Sequence, residues 1–195
     1  MISEELLLSH KAKLVNYRSN ETIFTEGDTA KFYFQVQRGS VKMFNLNENG
    51  KEFVQGIFYD GDSFGEPPLF GAFKYPASAE AAEDSSVFKL SKAMLFELLK
   101  SNFNTHLKFT ATLSNRLAYK AMILKEMSVH PPEHRILTLV DHLKKKYGGD
   151  TLFQIDLTRQ QIADLTGLRV ETVIRAFKQL ESEGEIEIIK RKIYR

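Results

Sequence analysis

Cysteine is absent from all 195 residues, which removes disulfides and zinc-thiolate sites from consideration. Long apolar runs are missing as well. The longest leucine run, Leu6-Leu7-Leu8, is far too short to span a bilayer, and no basic segment precedes an apolar signal core, so no membrane association is expected and the cytoplasm is the expected compartment. There is no large excess of either charge: the formal net charge is +2. Catalytic constellations are also lacking. No P-loop, H-E-x-x-H or nucleophile-base-acid pattern occurs, and Glu80, Glu83 and Asp84 fall where a strand-connecting loop is expected. The five histidines, His10, His106, His130, His134 and His142, have no ligand spacing: His130 and His134 straddle a proline pair, and His106 has no near partner. Neither an enzyme nor a metal protein is expected. What remains, 43% hydrophobic and 27% charged residues, suits one large or two modest globular domains.

The segment 157–177 carries the strongest positive signal. Thr158 followed by Gln161 is a capping box, Ile162 and Leu165 give an inward face at helical spacing, and Gly167 supplies a turn. A second helix then packs through Val173, Phe177 and Leu180, leaving Val170, Glu171, Ile174 and Arg175 to project from its N-terminal half. In a helix-turn-helix that half meets base edges. Glutamate and arginine one turn apart suit a C·G pair, the carboxylate accepting from cytosine and the guanidinium donating to guanine. An ordinary i, i+4 ion pair on a solvated face is the competing account. A purely architectural DNA binder would gain nothing from the acidic side chain. The run Lys190-Arg191-Lys192, with Arg195, places positive charge nearby for phosphate contacts, or forms a solvated tail.

From Asn20 to Leu90 the chain breaks into short β-rich runs: Thr22–Phe24, Lys31–Gln37, Ser40–Leu46, Glu52–Tyr59 and Ser85–Leu90. Glycines at 27, 39, 50 and 61 recur at intervals of 12, 11 and 11, as in a small antiparallel barrel or sandwich. Tyr33, Gln35 and Gln37 against Phe34 and Val36 predict a half-buried strand. Helices are predicted over residues 3–14, 92–99 and about 103–128. In the long one Leu107, Thr110, Leu113, Leu117, Leu124 and Met127 mark a seam that suits either packing on the β domain or a two-stranded coiled coil. The prolines of Val129-His130-Pro131-Pro132 end that helix. A helix over 133–147 stopping at Gly148-Gly149, a strand over 152–157 and a hairpin over 185–194 complete a winged helix.

These motifs together resemble the Crp/Fnr family of bacterial transcription regulators. The match runs through T-R-x-x-I-A-x-x-x-G-x-x-x-E-T-V-x-R at 158–175, E-G-D-x-A-x-F-Y at 26–33, R-G-S-V-K at 38–42 and G-D-S-F-G-E at 61–66. The resemblance implies an α+β chain with a jelly-roll-like β-roll sensor (1–102), a long dimerisation helix (103–128) and a winged helix-turn-helix (129–195). It implies a homodimer through Leu113, Leu117 and Leu124, a double-stranded palindromic operator, and RNA polymerase as a partner. DNA contacts are expected from Thr158, Arg159, Arg169, Val170, Glu171, Thr172, Ile174, Arg175 and Lys192, with Thr158 and Arg169 on phosphates. Valine at 170 matches the oxygen-responsive branch, whereas the cyclic-AMP receptor protein has arginine there. A T-T-G-A half-site is therefore expected over T-G-T-G-A.

The effector pocket departs from the family pattern. Cyclic-AMP-binding members carry G-E-L-[AG]-L and then R-[ST]-A, glutamate holding the ribose and arginine the cyclic phosphate. This chain has Gly65-Glu66-Pro67-Pro68-Leu69 and Tyr75-Pro76-Ala77, with no arginine from Gly61 to Leu90. Lys74 is a poor substitute for a planar bidentate fork. The hydroxyl pair that contacts adenine would fall on Lys120-Ala121 or Leu124-Lys125, neither of which supplies it. Gly65, Glu66, Tyr75, Pro76, Ala77 and Lys120 are the expected pocket residues, with Glu66 reading equally as a helix-start carboxylate. No cyclic AMP and, lacking cysteine, no iron-sulfur cluster is expected. The effector is an unidentified small molecule, with haem sensing or a constitutively active protein as alternatives.

Overall fold

The computed structural model describes residues 2–48, 50, 52–148, 152–190 and 192–195, with side chains at all of these except 126–128 and 146. The Met127 side chain of the expected seam, Gly149 of the expected helix stop and Arg191 of the basic run lie outside the described residues. By contacts the chain forms two compact units, Met1–Asn115 and Arg116–Arg195. The division falls inside the long helix rather than at its prolines. Tyr119 explains this locally: its ring stacks on His142 at 3.9 Å, joining the second half of that helix to the one that follows.

The first unit begins with α1 (Glu4–Ser9), where the Ser3 hydroxyl accepts from the Leu6 N–H. The helix is shorter than the 3–14 expected from sequence. Ser9 Oγ donates to the Leu6 carbonyl, and Lys11 then takes a left-handed φ of 66°. Residues 13–17, expected as helix in part, are instead strand β1 (Lys13–Tyr17). β2 (Thr22–Phe24), β3 (Phe32–Arg38), β4 (Val41–Leu46), β5 (Glu52–Phe58), β6 (Ser63–Phe64), β7 (Ser78–Ala81) and β8 (Ser85–Ser91) follow, with one-turn helix α2 (Pro67–Gly71) between β6 and β7. They make two antiparallel sheets, ordered β1-β8-β3-β6 and β2-β7-β4-β5. Glu80, expected in a loop, lies in β7 and pairs with Lys42 at 3.0 Å. The four evenly spaced glycines all adopt positive φ. At Gly39 a Cβ would come within 2.9 Å of the backbone at Asp84 and Ser85, so this turn needs glycine for space as well as for φ.

Strand β3 corrects the expected alternation: Tyr33, Phe34, Gln35 and Val36 are all buried. Their polar groups look solvent-facing in sequence, but they satisfy one another. Tyr33 Oη donates to Gln35 Oε1 at 2.6 Å, Gln35 Nε2 donates to the Ile2 carbonyl at 2.9 Å, and the Ile2 N–H donates back to Gln35 Oε1 at 3.2 Å. A paired polar group loses little by burial. The face carrying Tyr33 is covered by the N-terminal segment and by Phe109, whose ring lies 6.1 Å from that of Tyr33. The opposite face meets the second sheet through Phe24, Phe34 and Phe64.

Two helices complete this unit, α3 (Lys92–Ser101) and the start of α4 (Phe103–Val129). Leu113 packs against the roll core, while Leu107, Leu117 and Leu124 remain 52%, 71% and 71% exposed. No helix among the described residues is long and apolar enough to cross a membrane.

The second unit continues through α5 (Pro132–Leu143), whose first-turn proline needs no N–H partner, and a single π-helical turn over Lys144–Gly148. Next come β9 (Gln154–Ile155), α6 (Arg159–Thr166), α7 (Val170–Ser182), β10 (Glu187–Ile189) and β11 (Lys192–Tyr194), the strands ordered β10-β11-β9. Ile136, Leu139, Val140, Ile162, Val173, Phe177 and Leu180 are all buried and make up its core.

Candidate nucleic-acid interface and effector pocket

Helix α6 starts on the expected capping box. Thr158 Oγ1 accepts from the Gln161 N–H at 3.1 Å, and Gln161 Oε1 accepts from the Thr158 N–H at 2.8 Å. Gly167 ends the helix in the left-handed region, its N–H bonded to the Ala163 carbonyl. The inward face consists of Ile162, Ala163 and Thr166, with Leu165 only half-buried. Arg159 is held in place: its guanidinium lies 5.6 Å from the centroid of Phe177, a ring of the core beneath.

Helix α7 buries Val173, Ala176, Phe177 and Leu180, and that spacing turns Glu171, Ile174 and Arg175 outward together. Val170 and Thr172 are half-buried beside them, and Arg169 is exposed at the N-cap position. The side chains of Glu171 and Arg175 do not pair. Arg175 Nε donates to the backbone carbonyl of Glu171 at 3.4 Å, and among the described residues the Glu171 carboxylate has no hydrogen-bond or ion-pair partner. The surface ion pair that would make this face unremarkable is therefore not formed. Both side chains reach the surface of the helix without an ion pair between them.

The hairpin β10–β11 forms the wing. Lys192 is exposed at its edge, with Nζ donating to Gln154 Oε1 at 3.2 Å. Arg195 corrects a sequence expectation. Its guanidinium pairs with Asp141 at 2.7 Å and Glu185 at 2.5 Å, so it locks the wing sheet to α5 and is not a spare phosphate contact.

In the first unit, Gly65 and Glu66 precede α2. Glu66 occupies the N-cap position but makes no side-chain cap bond; it is 1% exposed and accepts from the Ser63 hydroxyl. Tyr75 fills the place where sequence comparison puts the missing arginine region. Its ring stacks on Phe24 at 3.8 Å and 10°, and burial, with Glu66 and Asp28 nearby, pushes its phenol up to about 12. The backbone of Tyr75 is committed in both directions, its N–H to the Asp28 carbonyl and its carbonyl to the Gly27 N–H, each at 2.9 Å. Pro76 is exposed and Ala77 fully buried. Lys120, expected to join this group, is an exposed residue of the second unit.

Sequence reasoning missed the aromatic fill of the roll. Phe24, Phe34, Phe64 and Phe58 stack or tilt against one another at 5.4–6.1 Å. A Cβ on Gly65 would meet the Phe24 ring at 3.0 Å and the Tyr75 ring at 3.2 Å. The available signal was the abundance of phenylalanine, 15 residues in the chain. Among the described residues no three His, Asp or Glu side chains converge on a point that could hold a metal ion.

Comparison with known proteins places both units. The model of the cyclic nucleotide-binding domain matches residues 14–102, and that of the Crp-like helix-turn-helix domain matches residues 134–194. The electron transport regulator A of Shewanella oneidensis is 26% identical over 175 residues, covering 88% of this chain and 70% of that protein. The transcriptional activator protein FnrA of Stutzerimonas stutzeri is 25% identical over 174 residues, covering 87% and 71%. FixK2 from Bradyrhizobium japonicum shares the fold with a TM-score of 0.79 at 24% identity, over 93% of this chain and 91% of that one.

Proposed function

Because the chain belongs to the Crp/Fnr family of transcription regulators and carries its helix-turn-helix DNA-binding domain, we propose that it binds palindromic operators sequence-specifically, as a homodimer, without cyclic AMP. The observation that carries this reading is the unpaired Glu171 and Arg175 side by side on the exposed face of α7. Glu171 accepts from a cytosine amino group and Arg175 donates to the guanine of the same pair. Val170 and Ile174 supply apolar contact to thymine methyls, Thr172 lies beside them, and Thr158, Arg159, Arg169 and Lys192 hold phosphates. The half-site is T-T-G-A. In vitro selection on random duplexes is the test: an inverted repeat of T-T-G-A supports the assignment, and enrichment of T-G-T-G-A, or of no palindrome, defeats it.

The sensor roll is not a cyclic-nucleotide receptor. Glu66 is buried on Ser63, Tyr75 on Phe24 stands beside it, and no arginine lies between Gly61 and Leu90 to hold a cyclic phosphate. Losing a bidentate charge-assisted contact costs about 1.5–3 kcal/mol, up to roughly a hundredfold in affinity. Calorimetry should detect no cyclic AMP binding in the micromolar range, and operator affinity should not respond to the nucleotide. Micromolar binding with a gain in operator affinity would contradict this. The protein works in the cytoplasm with RNA polymerase as its downstream partner and performs no catalysis of its own.

A further inference from the structure

We propose that the aromatic face formed by α2 and α3 docks an acidic, amphipathic segment of a partner protein. The face lies on the outside of the first unit, and the proposal is independent of how α7 meets DNA. Helix α3 buries Leu95, Leu98 and Leu99, and that inner face turns Lys92, Phe96 and Lys100, four residues apart, to one side of the helix. The Phe96 ring lies 5.1 Å from that of Phe70 in α2, which in turn lies 5.6 Å from the buried ring of Phe109. Phe73 folds back onto Gly71, leaving no room there for a Cβ, and so stays beside α2. Phe70, Phe73 and Phe96 are 47%, 48% and 39% exposed. Single apolar side chains scattered over a surface need no explanation, but large rings gathered over a buried one mark an interaction site.

Charge decides what kind of partner fits. Lys92 Nζ stands 5.4 Å from the Phe96 ring centroid, Lys100 is exposed one turn further along α3, and Lys74 is exposed next to Phe73. Among the described residues none of these three lysines forms an ion pair. Against them stands the exposed carboxylate of Glu97. A second copy turned about a two-fold axis would set the lysines against themselves, which disfavours self-association through this face. Nucleic acid fits less well, because Phe70 and Phe96 tilt against each other at 39° instead of presenting parallel platforms to bases, and Glu97 repels phosphates. The complement is a short helix whose leucines or phenylalanines at i, i+3 and i+7 rest on the three rings, with flanking carboxylates that accept from the lysine ammoniums.

The probe is a fluorescein-labelled peptide of about 15 residues built on that pattern from leucine and glutamate, titrated by anisotropy into the full chain at about 150 mM salt. Saturation is expected with a Kd below about 100 µM. Lys100→Glu, at an exposed position that leaves the fold intact, should weaken binding at least about tenfold, and Phe96→Ser by as much or more. On the unaltered protein a peptide with lysine in place of every glutamate should not bind. No saturation by the wild type, equal affinity for the two peptides, or unchanged binding by Lys100→Glu would overturn the site. Lys100-dependent binding of oligothymidylate tighter than that of the peptide would overturn it too, making the face a nucleic-acid platform. So would a smaller assembly for Phe96→Ser by light scattering, which would make it an interface between copies.

Discussion

Leu117→Glu and Leu124→Glu should each yield a monomer that no longer holds its operator. Both leucines are 71% exposed on α4, which is a poor place for large apolar side chains unless a second copy covers them. In a two-fold dimer each substitution puts two carboxylates into the seam, and desolvating an ion costs several kcal/mol. The dimerisation constant should fall by at least about a thousandfold, at roughly tenfold per 1.4 kcal/mol. A monomer presents one recognition helix to a site whose halves lie about 34 Å apart, so it loses the linked second contact and with it most of the operator affinity. Leu113→Glu should differ in kind. Leu113 packs on the roll core, so its replacement should lower the melting temperature of the protein before it changes the mass of the assembly. Light scattering with thermal melts separates the two, and a Leu117→Glu protein that stays dimeric would move the interface elsewhere.

Arg175→Ala should cost about 1–3 kcal/mol on the selected operator and relax the choice at the G·C position. Because Arg175 is exposed and among the described residues its guanidinium hydrogen-bonds only to the Glu171 carbonyl, its removal leaves the α7 core intact and the loss can be assigned to DNA. Lys192→Ala should behave differently, weakening every duplex alike and lowering the salt slope by about one. Competition titrations across a salt series against operators mutated at that pair report both effects. Equal loss on all sequences for Arg175→Ala would remove it from base reading.

The helix-turn-helix was the most legible part of the chain because its signals are local. A cap at Thr158, a left-handed turn at Gly167 and an apolar stripe ending at Leu180 each act within a turn or two of helix. The evenly spaced glycines likewise exposed the rhythm of the roll. What escaped depends on partners distant in sequence. Tyr33 and Gln35 read as solvent-facing until the Ile2 backbone closes over them. The first residues of β1 read as the end of a helix because its reason to be a strand is β8, whose partners lie about seventy residues away. Arg195 read as nearby charge for phosphates or as part of a solvated tail because Asp141 and Glu185 meet it only in the folded domain. In the sensor, the motif differences at Pro67, Pro68 and Tyr75 were visible, but the rings that fill the space between the sheets were not.

That filling bears on how the roll responds to force. Close-packed rings have low compressibility and leave no slack for side chains to absorb a displacement. With Phe24 stacked on Tyr75 and both within about van der Waals distance of where a Gly65 side chain would begin, a nudge of a few tenths of an ångström at either ring has nowhere to dissipate before it reaches the backbone ahead of α2. Enlarging this interior to admit a ligand would create a softer cushion; keeping it solid makes the roll behave as a lever.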